Sequence, residues 1–207
     1  MPTSLFWGLH AEKRQAIVAA GISEFAAYGY ENSSTNRIVK KAGISKGSLF
    51  KYFPAKEDFY FYVLDEITSE LISDMQEKVN TLSPDLFQRI TDYSALEFSW
   101  YLSYPEKYKM IIRAFTKSDT GIYRKTALKY GGREQDIFDW FLRDVDTVPF
   151  RWDRQKTIDI LKWFLKGFRD DFLADLQTDS DLGKIQKKYI KNLSEYLEIL
   201  KTGIMKQ

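Results

Sequence analysis

Apolar residues in this 207-residue chain recur mostly at intervals of three and four, which is the spacing of a helix with one buried face. Long runs that alternate apolar and polar residues, as a half-buried strand does, do not occur. The pattern therefore predicts an all-α protein. Glycines and prolines divide it into a first helix at residues 11–28, two short helices within about 34–53 and a long helix at about 57–81.

Further helices are predicted at about 85–104, 106–117 and 122–144, followed by two closing helices at about 154–176 and 183–202. Each closing helix has an apolar stripe at helical spacing and more apolar residues than one face can bury. This excess favours a second contact surface on the closing helices. The alternative is that they only complete the core.

The segment at about 34–53 has the pattern of a helix-turn-helix, because two short helix signals meet at a glycine. Ser34 and Ser45 stand where the N-caps of the two helices are expected. Gly43 stands where the first helix would end in the left-handed region, which glycine adopts without steric cost. Pro54 ends the second helix, since the residue before a proline disfavours helical geometry.

The second motif helix has two different faces. Leu49, Phe50 and Phe53 have the spacing of a buried stripe. The opposite face is cationic, with small residues at its N-terminal end, and this suits a helix that approaches DNA closely. The predicted DNA-contacting residues lie on that face and at the starts of both helices: Thr35, Asn36, Arg37, Ser45, Lys46, Gly47, Ser48, Lys51 and Tyr52.

The charge of the chain is divided unevenly along its length. The net charge is +2, yet residues 1–56 contain eight basic and three acidic residues, whereas residues 57–207 contain 23 basic and 26 acidic ones. A basic head on a mildly acidic body is expected when only the head contacts a polyanion. The alternative, a basic patch that is merely solvated, is disfavoured because the helix-turn-helix pattern lies in the same segment.

The run from Gly29 to Glu57, G-Y-x4-T-x2-I-x3-A-G-I-S-K-G-S-L-F-K-Y-F-P-x-K-E, resembles the DNA-binding domain of the tetracycline-repressor (TetR/AcrR) family of bacterial regulators. The resemblance implies a helix-turn-helix DNA-binding domain at 1–56 and a helical ligand-binding and dimerisation domain at 57–207. It also implies that Lys56 contacts a backbone phosphate at the start of the long helix.

The resemblance further implies a dimeric repressor that binds a palindromic operator on double-stranded DNA. The two closing helices, 154–176 and 183–202, would pair with their copies to form a homodimer. A small apolar or amphipathic effector, bound in the body, would lower the affinity for DNA. The alternative function is a DNA-bound structural or partner-recruiting protein with the same head and no small-molecule inducer.

Aromatic residues, which make up 16% of the chain, provide candidates for lining a ligand pocket. They are also what ordinary helical cores are made of, and this alternative stays open for each of them. The ligand-binding candidates are Trp100, Tyr101, Tyr104, Tyr108, Phe138, Trp163 and Phe168.

Cysteine and histidine, which many catalytic and metal sites use, are scarce in this chain. Cysteine is absent, and His10 is the single histidine, so the sequence predicts no catalytic triad, no metal site and no cofactor. No nucleotide-binding glycine motif is found. We therefore expect no enzyme. The sequence also contains no signal-peptide pattern and no apolar run long enough for a membrane span, which favours a cytoplasmic protein.

Overall fold

The computed structural model describes residues 1–116, 119–131, 141–142, 145–146, 150–174 and 181–204. The predicted helices at 106–117 and 122–144 and the candidate Phe138 fall partly or wholly outside these residues. Within the described ranges all regular elements are helical and no strand occurs, so the all-α prediction is confirmed.

The chain forms two compact units, the first made of Met1–Ile72 and Tyr104–Phe115, and the second of Ser73–Ser103 and Thr116–Gln207. The functional division at residue 56 remains a prediction. The described helices, in chain order, are α1 (Ser4–Trp7), α2 (Ala11–Asn32), α3 (Thr35–Lys41), α4 (Lys46–Tyr52), α5 (Lys56–Lys78), α6 (Leu86–Ser103), α7 (Pro105–Phe115), α8 (Gly121–Tyr130), α9 (Arg154–Ala174) and α10 (Leu182–Ile204), with a 3₁₀ turn at Val79–Thr81.

Helix α2 changes direction at Gly29, where the sequence predicts its end. Gly29 has φ 68° and ψ −179°, a conformation that is essentially restricted to glycine. The spacing of Ile17, Gly21, Phe25 and Tyr28 in the sequence predicts one buried helix face. The first three are buried, but Tyr28 is 47% exposed. The prediction for Tyr28 is wrong: its ring lies at the surface, where one face contacts the Arg37 guanidinium, 4.1 Å from the ring centroid.

The core of the first unit is built by α2, α3, α4 and α5. Helices α2 and α5 approach closely at Gly21, where an added Cβ would lie 2.6 Å from Cζ of Phe59. Helix α7 also packs on α2, and Arg113 donates hydrogen bonds to the carbonyls of Ala26 (2.9 Å) and Ala27 (3.3 Å), just before the bend. The side chains at the centre of this core are almost completely buried: Ile17, Phe25, Ile38, Leu49, Phe53 and Phe59.

The second unit is organised by the packing of α6 on α10. The rings of Phe98 and Tyr189 lie 4.9 Å apart, and Leu193 is fully buried. Arg89 of α6 is buried and donates a 2.8 Å hydrogen bond to the carbonyl of Phe141. The predicted interruption at Pro105 is confirmed, since α6 ends before it and α7 begins with it.

Candidate nucleic-acid interface

Helices α3 and α4 form the predicted helix-turn-helix in the first unit. Gly43 has φ 64°, as the turn requires, and Ile44 donates a backbone hydrogen bond to Val39 at 3.0 Å. The hydroxyl of Ser45 accepts the 3.0 Å hydrogen bond from the Ser48 amide that caps α4. These local predictions are confirmed.

The N-cap of α3 differs from the expectation. Ser34 occupies the N-cap position, but its side chain makes no capping hydrogen bond. Its backbone amide instead donates to the Glu24 carboxylate at 2.7 Å. Glu24 thus supplies an acceptor beside the N-terminal end of α3, where a negative charge is favourable.

The buried stripe of α4 is narrower than predicted. Leu49 and Phe53 are buried, whereas Phe50 is 38% exposed, so the prediction for Phe50 is wrong. Residues four apart share a face, but Phe50 is rotated about 100° from Leu49 around the helix axis. On a helix of only two turns, this rotation places its ring at the edge of the core.

The face opposite Leu49 is open and cationic. Lys46, Gly47 and Lys51 are exposed, and in the part of the chain that the structure describes neither lysine has an ion-pair partner. The nearest atom to an added Cβ at Gly47 would be Oγ of Ser45, at an ordinary contact distance of 3.8 Å. The fold therefore does not require glycine at this position.

Arg37 lies at the start of the interface but is held within the protein. Its Nε and Nη2 atoms donate to the Glu24 carboxylate at 2.9 and 2.5 Å, and Nη2 also donates to the Asn32 carbonyl at 3.0 Å. The hydrogen bond to Glu24 raises the pKa of Arg37 above its ordinary value. Glu24 was not among the residues predicted from the sequence, where it is marked only as an acidic residue beside the apolar Phe25.

Lys56 is engaged within the protein in a similar way. Its Nζ atom donates to the carbonyls of Tyr30 at 2.6 Å and Ser33 at 3.1 Å, and it lies 4.4 Å from the centroid of the Tyr30 ring. It therefore binds carbonyls that follow the bend in α2. Its phosphate contact stays a prediction.

The remaining predicted contacts lie on the same helix-turn-helix. Asn36 and Ser45 are exposed, while Thr35, Ser48 and Tyr52 are half-buried. The hydroxyls of Ser45 and Ser48 lie 2.8 Å apart. The structure thus brings the predicted residues together in one unit, although Arg37 and Lys56 are bound to other parts of it.

The described ligand-binding candidates are divided between the two units. Tyr104 and Tyr108 belong to the first unit, whereas the other described candidates belong to the second. Trp100, Tyr101 and Tyr108 are buried, Tyr104 is partly exposed, and Trp163 is 71% exposed. The half-buried ring of Phe168 stacks on those of Phe164 and Phe172. Their roles in ligand binding stay predictions.

Three tyrosines of the second unit surround one carboxylate. The Tyr101 hydroxyl donates to Oε1 of Glu97 at 2.7 Å. Burial raises the pKa values of Tyr93, Tyr101 and Tyr189 above that of an ordinary tyrosine, and the nearby charge of Glu97 raises them further. These phenols therefore stay protonated near neutral pH. Among the described residues, no three His, Cys, Asp or Glu side chains come together as a metal site would require.

Residues 17–63 match the family model described as bacterial regulatory proteins of the tetR family. The match contains α3, α4 and the glycine turn between them. This part of the chain therefore matches the DNA-binding domain of the TetR family. The resemblance of the 29–57 segment is therefore confirmed.

Among TetR-family relatives, the HTH-type transcriptional regulator RutR of Escherichia coli K12 is 29% identical over 94 residues, which are 45% of this chain and 43% of RutR. The chain thus covers less than half the length of the curated relatives it matches.

Two solved structures share the fold over most of the chain. A TerR/AcrR-family transcriptional regulator from Aquifex aeolicus VF5 has a TM-score of 0.66 at 17% identity, with 89% of this chain and 99% of that chain covered. FadR from Bacillus subtilis, solved in complex with stearoyl-CoA, has a TM-score of 0.65 at 17% identity, with 87% and 97% covered. Among the described residues, none of the helices combines the length and apolar character that a membrane crossing needs.

Proposed function

We propose that this protein is a dimeric, DNA-binding transcriptional regulator of the TetR family, and that it acts as a repressor released by a small apolar or amphipathic ligand. The observation that carries the proposal is the face of α4, where exposed Lys46 and Lys51 flank a glycine that the fold does not need. A helix that enters the major groove needs close backbone approach and cations near phosphates.

The division of roles on α4 follows from the positions of its side chains. Ser48 lies in the first turn of the helix, beside Gly47, where helix-turn-helix proteins contact base edges. Lys51 lies one turn later, where a long flexible cation suits a phosphate. Ser48 should therefore contribute to sequence preference, and Lys51 to affinity for any DNA.

The affinity of substituted proteins for a library of randomised DNA half-sites tests this division. Lys51→Ala should weaken binding to all sequences and reduce the salt-dependence slope by about one unit. Ser48→Ala should change preference at particular base pairs. Lys78→Ala, which removes an exposed lysine at the end of α5, is the matched control. Equal losses for Lys51→Ala and Ser48→Ala across the library would contradict the division of roles.

Dimerisation through the closing helices is supported by large apolar side chains that the monomer leaves in water. Ile160 and Trp163 on α9 and Tyr196 and Ile199 on α10 are all exposed, the last by 68%. Exposed apolar patches of this kind are typical of protein interfaces. A homodimer would place two helix-turn-helix units on a palindromic operator.

An effector of apolar or amphipathic character is supported by the relatives. One structural neighbour of the same fold, FadR of Bacillus subtilis, was solved with stearoyl-CoA. Native mass spectrometry of the protein from its own host tests dimer and ligand together. Twice the chain mass with a retained small molecule supports both, whereas a ligand-free dimer favours the partner-recruiting alternative. A monomer would remove the palindromic-operator model.

A further inference from the structure

We propose that residues 1–9, which we term the N-terminal strap, fix the C-terminal end of α4 in the position that specific DNA binding needs. The inference rests on the proposed function, because it assigns a positioning role in DNA recognition. The strap precedes the family match, which begins at residue 17. It contains the short helix α1 and lies wholly within the first unit.

The strap supplies hydrogen bonds that α4 cannot make for itself. The last carbonyls of a helix have no partner within it, and α4 has only seven residues. The backbone amide of Thr3 donates to the Tyr52 carbonyl at 2.9 Å, and Oγ1 of Thr3 donates to the Lys51 carbonyl at 2.8 Å. Thr3 thus caps two carbonyls at the end of the helix.

An aromatic cluster anchors the strap beside this cap. Phe6 is completely buried, and its ring centroid lies 4.8 Å from that of Phe53 and 5.3 Å from that of Tyr62 on α5. Burial raises the pKa of Tyr62 to about 12, so its phenol stays neutral beside these rings. Phe6 therefore holds the strap between the end of α4 and the face of α5.

The strap is also tied to α2. Arg14 donates from Nη1 to the Trp7 carbonyl at 3.1 Å and to the Leu9 carbonyl. These contacts close the segment after α1 onto the first helix of the unit. Because both ends of the strap are bound, its hold on α4 is not that of a fraying terminus.

The Thr3 cap is placed where it can affect DNA recognition. Thr3 binds the backbone of Lys51 and Tyr52, whose side chains are predicted to bind phosphates. Within α4 itself only Leu49 is buried, and the buried Phe53 that directly follows the helix packs against Phe6 of the strap. Loss of the cap should let that end move, and specific contacts are sensitive to such movement because their geometry is strict.

The test compares hydrogen exchange and DNA binding in full-length variants. Thr3→Val keeps the shape and the backbone amide but removes the hydroxyl donor. We expect amide exchange at the end of α4 to rise about threefold to tenfold, the factor for one net hydrogen bond, with a similar loss of operator affinity. Thr3→Ser should restore both. Thr81→Val is the matched control, since its hydroxyl also donates to a helix-end carbonyl, that of Lys78.

A second variant keeps the test decisive if one hydrogen bond proves too weak to detect. Phe6→Leu should increase exchange in α4 more than in the first turns of α2 within the same protein. Unchanged α4 exchange in both Thr3→Val and Phe6→Leu would overturn the strap's hold on the helix. Faster exchange with unchanged operator affinity would overturn its role in recognition.

The proposed function can fail separately. A wild-type protein with no sequence preference on DNA would overturn the regulator proposal and the strap's role in recognition. The exchange measurement, made without DNA, would still decide whether the strap fixes α4.

Discussion

Gly47 separates the requirements of the fold from those of DNA binding. It lies in the first turn of α4 with a helical backbone, and an added Cβ would meet nothing closer than Oγ of Ser45 at 3.8 Å. Alanine loses less backbone entropy on folding than glycine does. We therefore expect Gly47→Ala to stabilise the folded protein by about 0.4–1 kcal/mol.

The same methyl group should weaken DNA binding. If α4 lies in the major groove with Gly47 against DNA, the methyl displaces the helix and loosens the neighbouring base contacts. One good base contact contributes about 1–3 kcal/mol of discrimination. Since about 1.4 kcal/mol corresponds to a factor of ten, operator affinity should fall roughly 10- to 100-fold.

Thermal unfolding and fluorescence anisotropy on an operator fragment measure the two effects. Gly121→Ala is the matched control, because Gly121 lies at the start of α8, in the other unit, with open space around it. It should gain stability without losing affinity. A Gly47→Ala protein that binds the operator as tightly as wild type would refute close approach at this position. A loss of stability would refute the claim that the fold tolerates alanine there.

Substitutions at three other positions test the packing and the interfaces. Gly21→Ala should destabilise the protein by about 1–3 kcal/mol in urea unfolding, because the buried ring of Phe59 cannot yield to a Cβ at 2.6 Å; an unchanged midpoint would contradict this. Glu24→Gln should cost about 1–2 kcal/mol by the same assay, since the neutral amide binds Arg37 more weakly, and Glu24→Ala should cost more. Ile199→Asp should leave a folded monomer in light scattering, whereas a persistent dimer would exclude this face as the interface.

Local features of the helix-turn-helix could be predicted from the sequence because neighbouring residues determine them. Gly29 and Gly43 both have positive φ, and Ser45 caps α4, as the order of residues indicates. The helical spacing of apolar residues predicted burial less reliably for side chains at the edges of a helix face. Tyr28 and Phe50 have the spacing of core residues, yet both are substantially exposed.

Contacts between distant residues could not be predicted in this way. Glu24 and Arg37 are 13 positions apart, and Thr3 is 48 positions from Lys51. No periodicity or capping rule pairs such residues, since the pairing depends on how the helices pack. In the second unit the ligand-binding candidates were chosen because they are aromatic residues, and residue type does not distinguish buried Trp100 from exposed Trp163.

The structure divides the basic residues of the interface into two groups that look alike in the sequence. Arg37 and Lys56 are bound to Glu24 and to backbone carbonyls, whereas Lys46 and Lys51 face outward from α4. A cation already neutralised by a carboxylate releases few counterions when DNA binds, and a cation held by carbonyls must first leave them. The salt dependence of binding should therefore follow the outward lysines of α4, and the basic residues that are bound internally should contribute mainly by keeping the helices in place.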